Sequence, residues 1–312
     1  MMNNLKVCFT GVGSIAKRHI RNLRGIAEAG GINIQIDAFR RSSVAIDGVD
    51  SVYTELSETP SDYDVIFITN PTDLHLDTLK KFHDKGKNFF IEKPVVSLNQ
   101  IDEAKAFTTR SNTIYYVACP LRYNAVIQYI KKTINLEDVI SVRSISSSYL
   151  PDWRPGQDYR NTYSAHKNMG GGVSFDLIHV WDYLTYLFGW PCNIQSFIGK
   201  KSNLEIDSED YAIYIAEYEK MMVELHLDYF GRKTIREIQL FTKEDTIVGD
   251  IANNRLQYLR SGKVIDFHEE RDDYQRRELK TFLNMISGET QSDDGYHHGL
   301  NVLELTQGRL LV

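Results

Sequence analysis

The chain has 312 residues, of which 42% are hydrophobic, and carries a formal net charge of −6. That length implies about two domains of roughly 150 residues each, with enough apolar material for real cores. The mildly acidic balance offers no basic excess to nucleic-acid phosphates, and no apolar run approaches the roughly 18–20 residues that span a bilayer, so neither partner is expected.

Residues 1–120 alternate strand and helix. Strands are predicted at Lys6–Thr10, Asn33–Phe39, Val65–Thr69, Asn88–Ile91 and Ile114–Ala118. Between them fall helices at Ser14–Leu23, at Asp73–Lys85 (ended by Gly86), and from an N-cap at Ser97 to about Thr109. The continuous apolar run Val65-Ile66-Phe67-Ile68 fits a strand buried on both faces, and the alternation predicts a parallel sheet covered by helices. The texture changes over residues 121–312. A helix at Ala125–Thr133 leads into a strand at Val139–Ser147, an aromatic loop over Pro151–Asn168, a glycine triplet and a long helix at Val173–Phe188. Strand-like runs then follow one another from Asn193 to Phe267, with a hairpin of Tyr211–Tyr218 and Met222–Phe230. Successive strands without helices predict an α+β domain with a largely antiparallel, open sheet. Two helices, one at Tyr274–Ile286, close that second domain. The three cysteines, Cys8, Cys119 and Cys192, form no Cys-x-x-Cys pair, which argues for a reducing, cytoplasmic compartment and against a disulfide framework.

The chemistry begins at Gly11-Val12-Gly13-Ser14-Ile15-Ala16, between an apolar strand and a helix. The first glycine permits a tight turn, the second lets backbone N–H groups reach a pyrophosphate, and Ala16 supplies the small third residue. In this βαβ context the pattern predicts a dinucleotide-binding Rossmann domain; an ordinary strand–helix turn is the alternative. An acidic residue at the second strand's tip would bind the ribose of NAD. Asp37 lies inside the strand, and the tip reads Arg40-Arg41-Ser42, which suits the 2′-phosphate of NADP. NADP is therefore preferred to NAD, the alternative being arginines that are solvated or stack on the adenine.

Asn70, Pro71 and Thr72 follow the most apolar strand, where open α/β sheets face their ligand, so they are candidates for the ribose or nicotinamide. His75 either contacts the cofactor or caps the next helix. Glu92-Lys93-Pro94 ends another strand. Lys93 there can bind or protonate a substrate oxygen while Glu92 contacts the cofactor or orients the lysine; solvated charges are the alternative.

These residues resemble the Gfo/Idh/MocA oxidoreductases, a family of sugar and cyclitol dehydrogenases. The resemblance covers essentially the whole chain. It rests on Gly11-x-Gly13 with Arg18-His19, Asn70-Pro71-Thr72-x-x-His75, Glu92-Lys93-Pro94, and Gly170-Gly171-Gly172 with Asp176 and His179. It implies that Lys93 is the catalytic lysine, that His179 exchanges a proton with the reacting hydroxyl or carbonyl, and that Asp176 binds substrate or tunes that base. It also implies a homodimer or homotetramer. Asp176 and His179 are spaced to share one helix face, three residues apart where many relatives have four. A surface pair is one alternative; as metal ligands they lack a third, so no metal is expected. Asp182 is expected to support His179 or cap a polar face.

Arg122 occupies a position where the family often has a substrate-facing arginine. Trp153 or Tyr159 can stack on a sugar ring, Arg154 and Arg160 can bind a carboxylate or phosphate, and Tyr163 and His166 can extend the wall. A structural or dimer-contact loop is the alternative. The loop resembles a subgroup associated with bacterial surface polysaccharides. The expected activity is hydride transfer between NADP(H) or NAD(H) and a hydroxyl or keto carbon of a sugar derivative. Its rivals are a glycosidase that uses NAD transiently and a non-catalytic dinucleotide-binding regulator.

Overall fold

A computed structural model describes residues 3–292 and 295–310. Among these, the chain forms two compact units. The first takes the chain up to Ala118 and again Arg271–Leu300; the second takes Cys119–Glu270 and the chain from Asn301 onward.

The first unit holds β1 (Asn4–Thr10), α1 (Ser14–Gly30), β2 (Asn33–Phe39), β3 (Ser51–Tyr53), β4 (Tyr63–Ile68), α2 (His75–Lys81), β5 (Gly86–Ile91), α3 (Ile101–Lys105) and β6 (Tyr115–Val117). The strands form one parallel sheet in the order β3-β2-β1-β4-β5-β6. Val65 to Ile68 are wholly buried, as a strand covered on both faces requires. Several details depart from expectation: α2 stops at Lys81 and α3 at Lys105, each about four residues early. Helix α1 runs a further seven residues past Leu23, to Gly30, where Gly31 closes it in the left-handed conformation. Gly86 opens β5 rather than ending a helix, because a Cβ there would sit 2.4 Å from the Ile66 side chain on the neighbouring strand. The short strand β3 was not anticipated; its three residues carry too little pattern to read.

The second unit holds α4 (Ala125–Thr133), β7 (Val139–Tyr149), α5 (Val173–Asp176), α6 (His179–Phe188), β8 (Asn193–Gly199), β9 (Tyr211–Glu217), β10 (Met222–Asp228), β11 (Phe230–Thr242), β12 (Thr246–Asp250), β13 (Arg255–Tyr258) and β14 (Val264–Asp266). Its sheet has the order β14-β13-β12-β11-β7-β10-β9-β8 and is antiparallel except where β7 meets β10. Alternation sorts the faces. Val223, Leu225, Leu227, Tyr214 and Leu240 are buried, while Phe197 (67% exposed), Ile215 and Ile235 lie bare on the other side. Trp181 of α6 meets Tyr214 edge-on, and Tyr183 hydrogen bonds Ser144 at 2.8 Å, so α6 covers the buried face.

The expected border near residue 120 omits two later crossings, into the first unit at Arg271 and back to the second at Asn301. Helix α7 (Asp273–Ile286) belongs to the first unit, where Leu279 and Phe282 are fully buried and Phe282 packs against Phe67, Phe90 and Tyr116. The parallel sheet needs apolar cover on both faces, and this late segment supplies part of it. Helix α8 (Gly295–Leu305) follows.

Candidate active site

In the first unit, the strand-end edge is organised around the glycine turn. Gly11 has φ +84°, and a Cβ on it would lie 2.9 Å from Asn70 Cα, so only glycine fits between β1 and the chain leaving β4. Gly13 differs: a Cβ there would meet no protein atom, so what its hydrogen keeps open is the space outside the turn. Helix α1 starts there with no side-chain cap and no acidic residue in its first turn, and Ser14 is exposed with Ile15 half-buried. Its first N–H groups therefore remain available to an anion. Thr69 braces the turn by donating to Gly11 O at 2.8 Å, a contact the sequence did not reveal. These features fit a dinucleotide pyrophosphate.

At the tip of β2, Asp37 is fully buried and accepts hydrogen bonds from Tyr63 Oη at 2.9 Å and Gln35 Nε2 at 3.2 Å. The strand ends at Phe39, leaving Arg40, Arg41 and Ser42 beyond it. Among the described residues, neither the Arg40 nor the Arg41 side chain has an ion-pair or hydrogen-bond partner, whereas Arg18, Arg21 and Arg24 each pair with an aspartate.

After β4, Pro71 is exposed, Thr72 is half-buried, and Asn70 donates to Thr78 Oγ1 at 2.7 Å. The buried Asn70 Oδ1 has no hydrogen-bond partner among the described residues. His75 does not reach this mouth. It is buried with Nε2 3.0 Å from Asn70 O and Nδ1 3.0 Å from Pro94 O, and burial lowers its pKa against the pull of those carbonyls and Glu92. The expected cofactor contact is thus corrected to a brace that ties the Asn70 segment to the Lys93-Pro94 segment. After β5, Lys93 is half-buried and Glu92 accepts from His19 Nε2 at 2.6 Å. Burial raises the Glu92 pKa, but the bond and charge of His19, then Lys93 and His75, outweigh it and hold the carboxyl below its ordinary value. Glu92→Gln should cost about 1.5–3 kcal/mol at neutral pH, the worth of a charged hydrogen bond. Because the folded pKa is lowered, this contribution is complete above the unfolded value of 4.5 and fades as pH falls through the folded one. Urea unfolding of both proteins across pH should show the gap closing on acidification; a gap that widens would contradict this.

In the second unit, the glycine triplet is a packing device. A Cβ on Gly171 would lie 2.1 Å from Tyr163 O, and one on Gly172 (φ +135°) would lie within the Glu209 carboxylate. The helix expected at Val173–Phe188 is broken. Asp176 ends α5 and His179 opens α6, with Ile178 and Val180 N–H groups donating to carbonyls only three residues back. The tightened turn sets the two side chains on separate helices, so a shared helix face is not what relates them. Asp176 is buried and accepts from Tyr229 Oη at 2.5 Å; after burial, its nearby charge is what raises the Tyr163 phenol. Burial and then Asp176 push the Tyr229 phenol far upward, so it stays a donor. Glu209 accepts from Ser174 Oγ at 2.7 Å, and burial followed by Asp176 raises its pKa. His179 is half-buried. Trp153 presents its ring edge-on to Tyr229 at 5.2 Å, and Arg154 lies 5.2 Å over Tyr163. The structure thus brings Asp176, Trp153, Arg154 and Tyr163 together and adds Tyr229 and Glu209. Tyr229 was legible as the next inward residue after Leu225 and Leu227; Glu209 carried no signal.

Two expected substrate residues are corrected. Arg122 is 8% exposed and spends Nε and Nη2 on Asp182 at 2.8 and 2.6 Å, with its guanidinium 5.5 Å over Tyr186. The same Asp182 accepts from the Cys119 thiol, so it supports Arg122. Arg160 is held by Asp158 and Glu205, which neutralise it. The Tyr159 hydroxyl accepts from Glu205 N at 3.1 Å, and His166 bonds Arg160 O at 2.7 Å. Among the described residues, no cluster of side chains could hold a metal ion and no helix is long and apolar enough to cross a membrane.

The sequence model of the oxidoreductase family with an NAD-binding Rossmann fold matches residues 5–119. An uncharacterized oxidoreductase of Bacillus subtilis (strain 168), YrbE, is 29% identical over 186 residues, 57% of this chain and 52% of that protein. Inositol 2-dehydrogenase of Rhizobium meliloti (strain 1021) is 25% identical over 184 residues, 57% of this chain and 53% of that protein. The chain therefore spans about half the length of the curated relatives it matches. Levoglucosan dehydrogenase in complex with NADH and levoglucosan shares the fold with a TM-score of 0.83 at 15% identity, covering 98% of this chain and 96% of the other. UDP-N-acetylglucosamine 3-dehydrogenase from Acidithiobacillus ferrooxidans does so with a TM-score of 0.79 at 18% identity, covering 99% and 97%.

Proposed function

Because this chain belongs to the Gfo/Idh/MocA oxidoreductases, we propose that it moves a hydride between a nicotinamide dinucleotide and a hydroxyl or keto carbon of a sugar derivative. The observation that carries this reading is one edge of the parallel sheet. The adjacent strands β1, β4 and β5 deliver the glycine turn, Asn70–Thr72 and Glu92-Lys93 to the same side. The N–H groups of Gly11, Gly13, Ser14 and Ile15 would hold the pyrophosphate, with Asn70, Pro71, Thr72 and Glu92 along the ribose and nicotinamide. The bound dinucleotide supplies the hydride chemistry. Lys93 Nζ and the His179 imidazole hold or move the proton of the reacting oxygen, and Asp176 binds a substrate hydroxyl while Tyr229 and Tyr163 fix its carboxylate. Trp153, Arg154 and Tyr163 form the substrate wall. A screen of sugars, sugar acids and nucleotide sugars should yield net reduction of added dinucleotide; glycoside cleavage without net reduction, or dinucleotide binding with no turnover on any of them, would overturn the reading.

NADP is the proposed cofactor in preference to NAD, because Arg40 and Arg41 lie beyond β2 with no partner among the described residues while Asp37 is spent inside it. The Arg40→Ala, Arg41→Ala double variant should raise the KM for NADPH by about tenfold or more and leave that for NADH nearly unchanged. A wild type that already prefers NADH would sink the idea.

The second unit is proposed to bind substrate and to mediate assembly. Its bare sheet face, with Phe197 67% and Ile235 41% exposed, is proposed to be covered by a second copy in a homodimer or homotetramer. A light-scattering mass of one chain would contradict that. The cytoplasm is the proposed compartment, in keeping with Cys8, Cys119 and Cys192 forming no disulfide among the described residues.

A further inference from the structure

We propose that the second unit carries a separate binding pocket for a planar ring bearing phosphate, the chemistry of a nucleoside diphosphate, walled by Tyr149, Tyr159, Phe230, Lys201 and Arg232. The cavity has a volume of about 430 Å³ and none of its lining residues is acidic. That volume falls within the roughly 300–1,000 Å³ of small-molecule sites.

Both cationic walls are held in place by a buried aspartate. Asp210 is 0% exposed and accepts from the N–H groups of Lys201 and Ser202, each at 2.8 Å, and from Ser202 Oγ at 2.6 Å. Its carboxylate is used to fix the loop from which Lys201 projects. Asp228 is 3% exposed and accepts from Phe230 N at 3.0 Å, Gly231 N at 2.8 Å and Ser147 Oγ at 3.0 Å. It fixes the start of a bulge, since pairing between β11 and β7 is interrupted from Phe230 to Ile235. Gly231 is required there: a Cβ would lie 1.9 Å from Ser147 Oγ. Arg232 is the next residue of that bulge.

The pocket's cations have no anion of their own. Among the described residues, neither Lys201 Nζ nor the Arg232 guanidinium has a carboxylate partner. Arg232 lies 3.9 Å over the Tyr149 ring, a placement that orients its N–H edge before any ligand arrives. Tyr159 is pinned by accepting Glu205 N, so its ring is fixed as well. Three aromatic rings suit a flat ligand ring, and two unneutralised cations on rigid supports suit its phosphates. This site goes beyond the proposed redox reaction and does not depend on it.

The test is calorimetric titration of the whole protein with uridine diphosphate, with NADP and NAD both present at saturation so that the glycine turn is filled. One saturable site per chain is expected, with affinity falling as salt rises. Uridine and inorganic pyrophosphate, each lacking half of the ligand, should bind at least about tenfold more weakly. The Lys201→Ala, Arg232→Ala double variant should weaken uridine diphosphate by a similar factor while leaving the thermal midpoint and dinucleotide affinity unchanged, because both side chains are exposed. The proposal is overturned by the absence of saturable binding, by uridine or pyrophosphate matching the diphosphate, or by a double variant that binds like the wild type. Binding without any sugar turnover would leave this pocket standing and remove only the redox reading.

Discussion

Lys93→Met is expected to lower kcat by about 10²–10⁴-fold, the range for losing a positioned proton-transfer group, while dinucleotide affinity stays nearly intact. The methionine keeps the length and the apolar stem of the lysine and removes only the ammonium. The split follows from where the groups sit. The pyrophosphate elements are Gly11, Gly13 and the start of α1, whereas Lys93 leaves a different strand, beyond Glu92 at the end of β5. The Glu92 carboxylate is anchored on the other side by the buried His19, so the substitution should leave the backbone at the end of β5 in place. Fluorescence titration of reduced dinucleotide and steady-state turnover on a sugar from the screen measure the two halves. Wild-type turnover from the variant would remove Lys93 from the chemistry. Equal losses of affinity and turnover would make it a cofactor ligand instead.

What could be read from sequence follows a physical divide. Local patterns were legible. The Val65–Ile68 run gave a buried strand because burial on both faces removes alternation, and the inward series Val223, Leu225, Leu227 gave β10 because one face is bare. The glycine turn was legible because left-handed geometry at Gly11 admits essentially one residue. Relations across the chain were not. Nothing near Phe282 announces that it packs under Phe67 and Phe90, far earlier in the chain, so the return of the chain to the first unit at Arg271 went unread. Glu209 next to Gly172, and Asp182 opposite Arg122, are likewise facts of packing. The broken helix at Leu177-Ile178 has no proline or glycine to mark it, and the spacing of Asp176 and His179 reads as one helix until the backbone is seen. A polar side chain's type says what it can bind, and only its neighbours say whether that capacity is already used.

Arg122 makes that last point measurable. Arg122→Met should destabilise the second unit by about 3–5 kcal/mol, because it leaves the Asp182 carboxylate buried without its cation. Asp182 is 5% exposed, and the Cys119 thiol that also donates to it is a weak donor that cannot replace a guanidinium. The double variant Arg122→Met, Asp182→Leu should recover most of the loss, since removing both charges removes the desolvation penalty along with the attraction. A substrate-facing arginine behaves differently: its removal raises KM and leaves the unfolding transition where it was, and a second change at Asp182 restores nothing. Denaturant unfolding of the two variants, with KM measured on the folded fraction, therefore separates a buried strut from a binding residue. The bidentate geometry at 2.8 and 2.6 Å favours the strut. Unchanged stability with a raised KM would return Arg122 to the substrate wall beside Trp153 and Arg154.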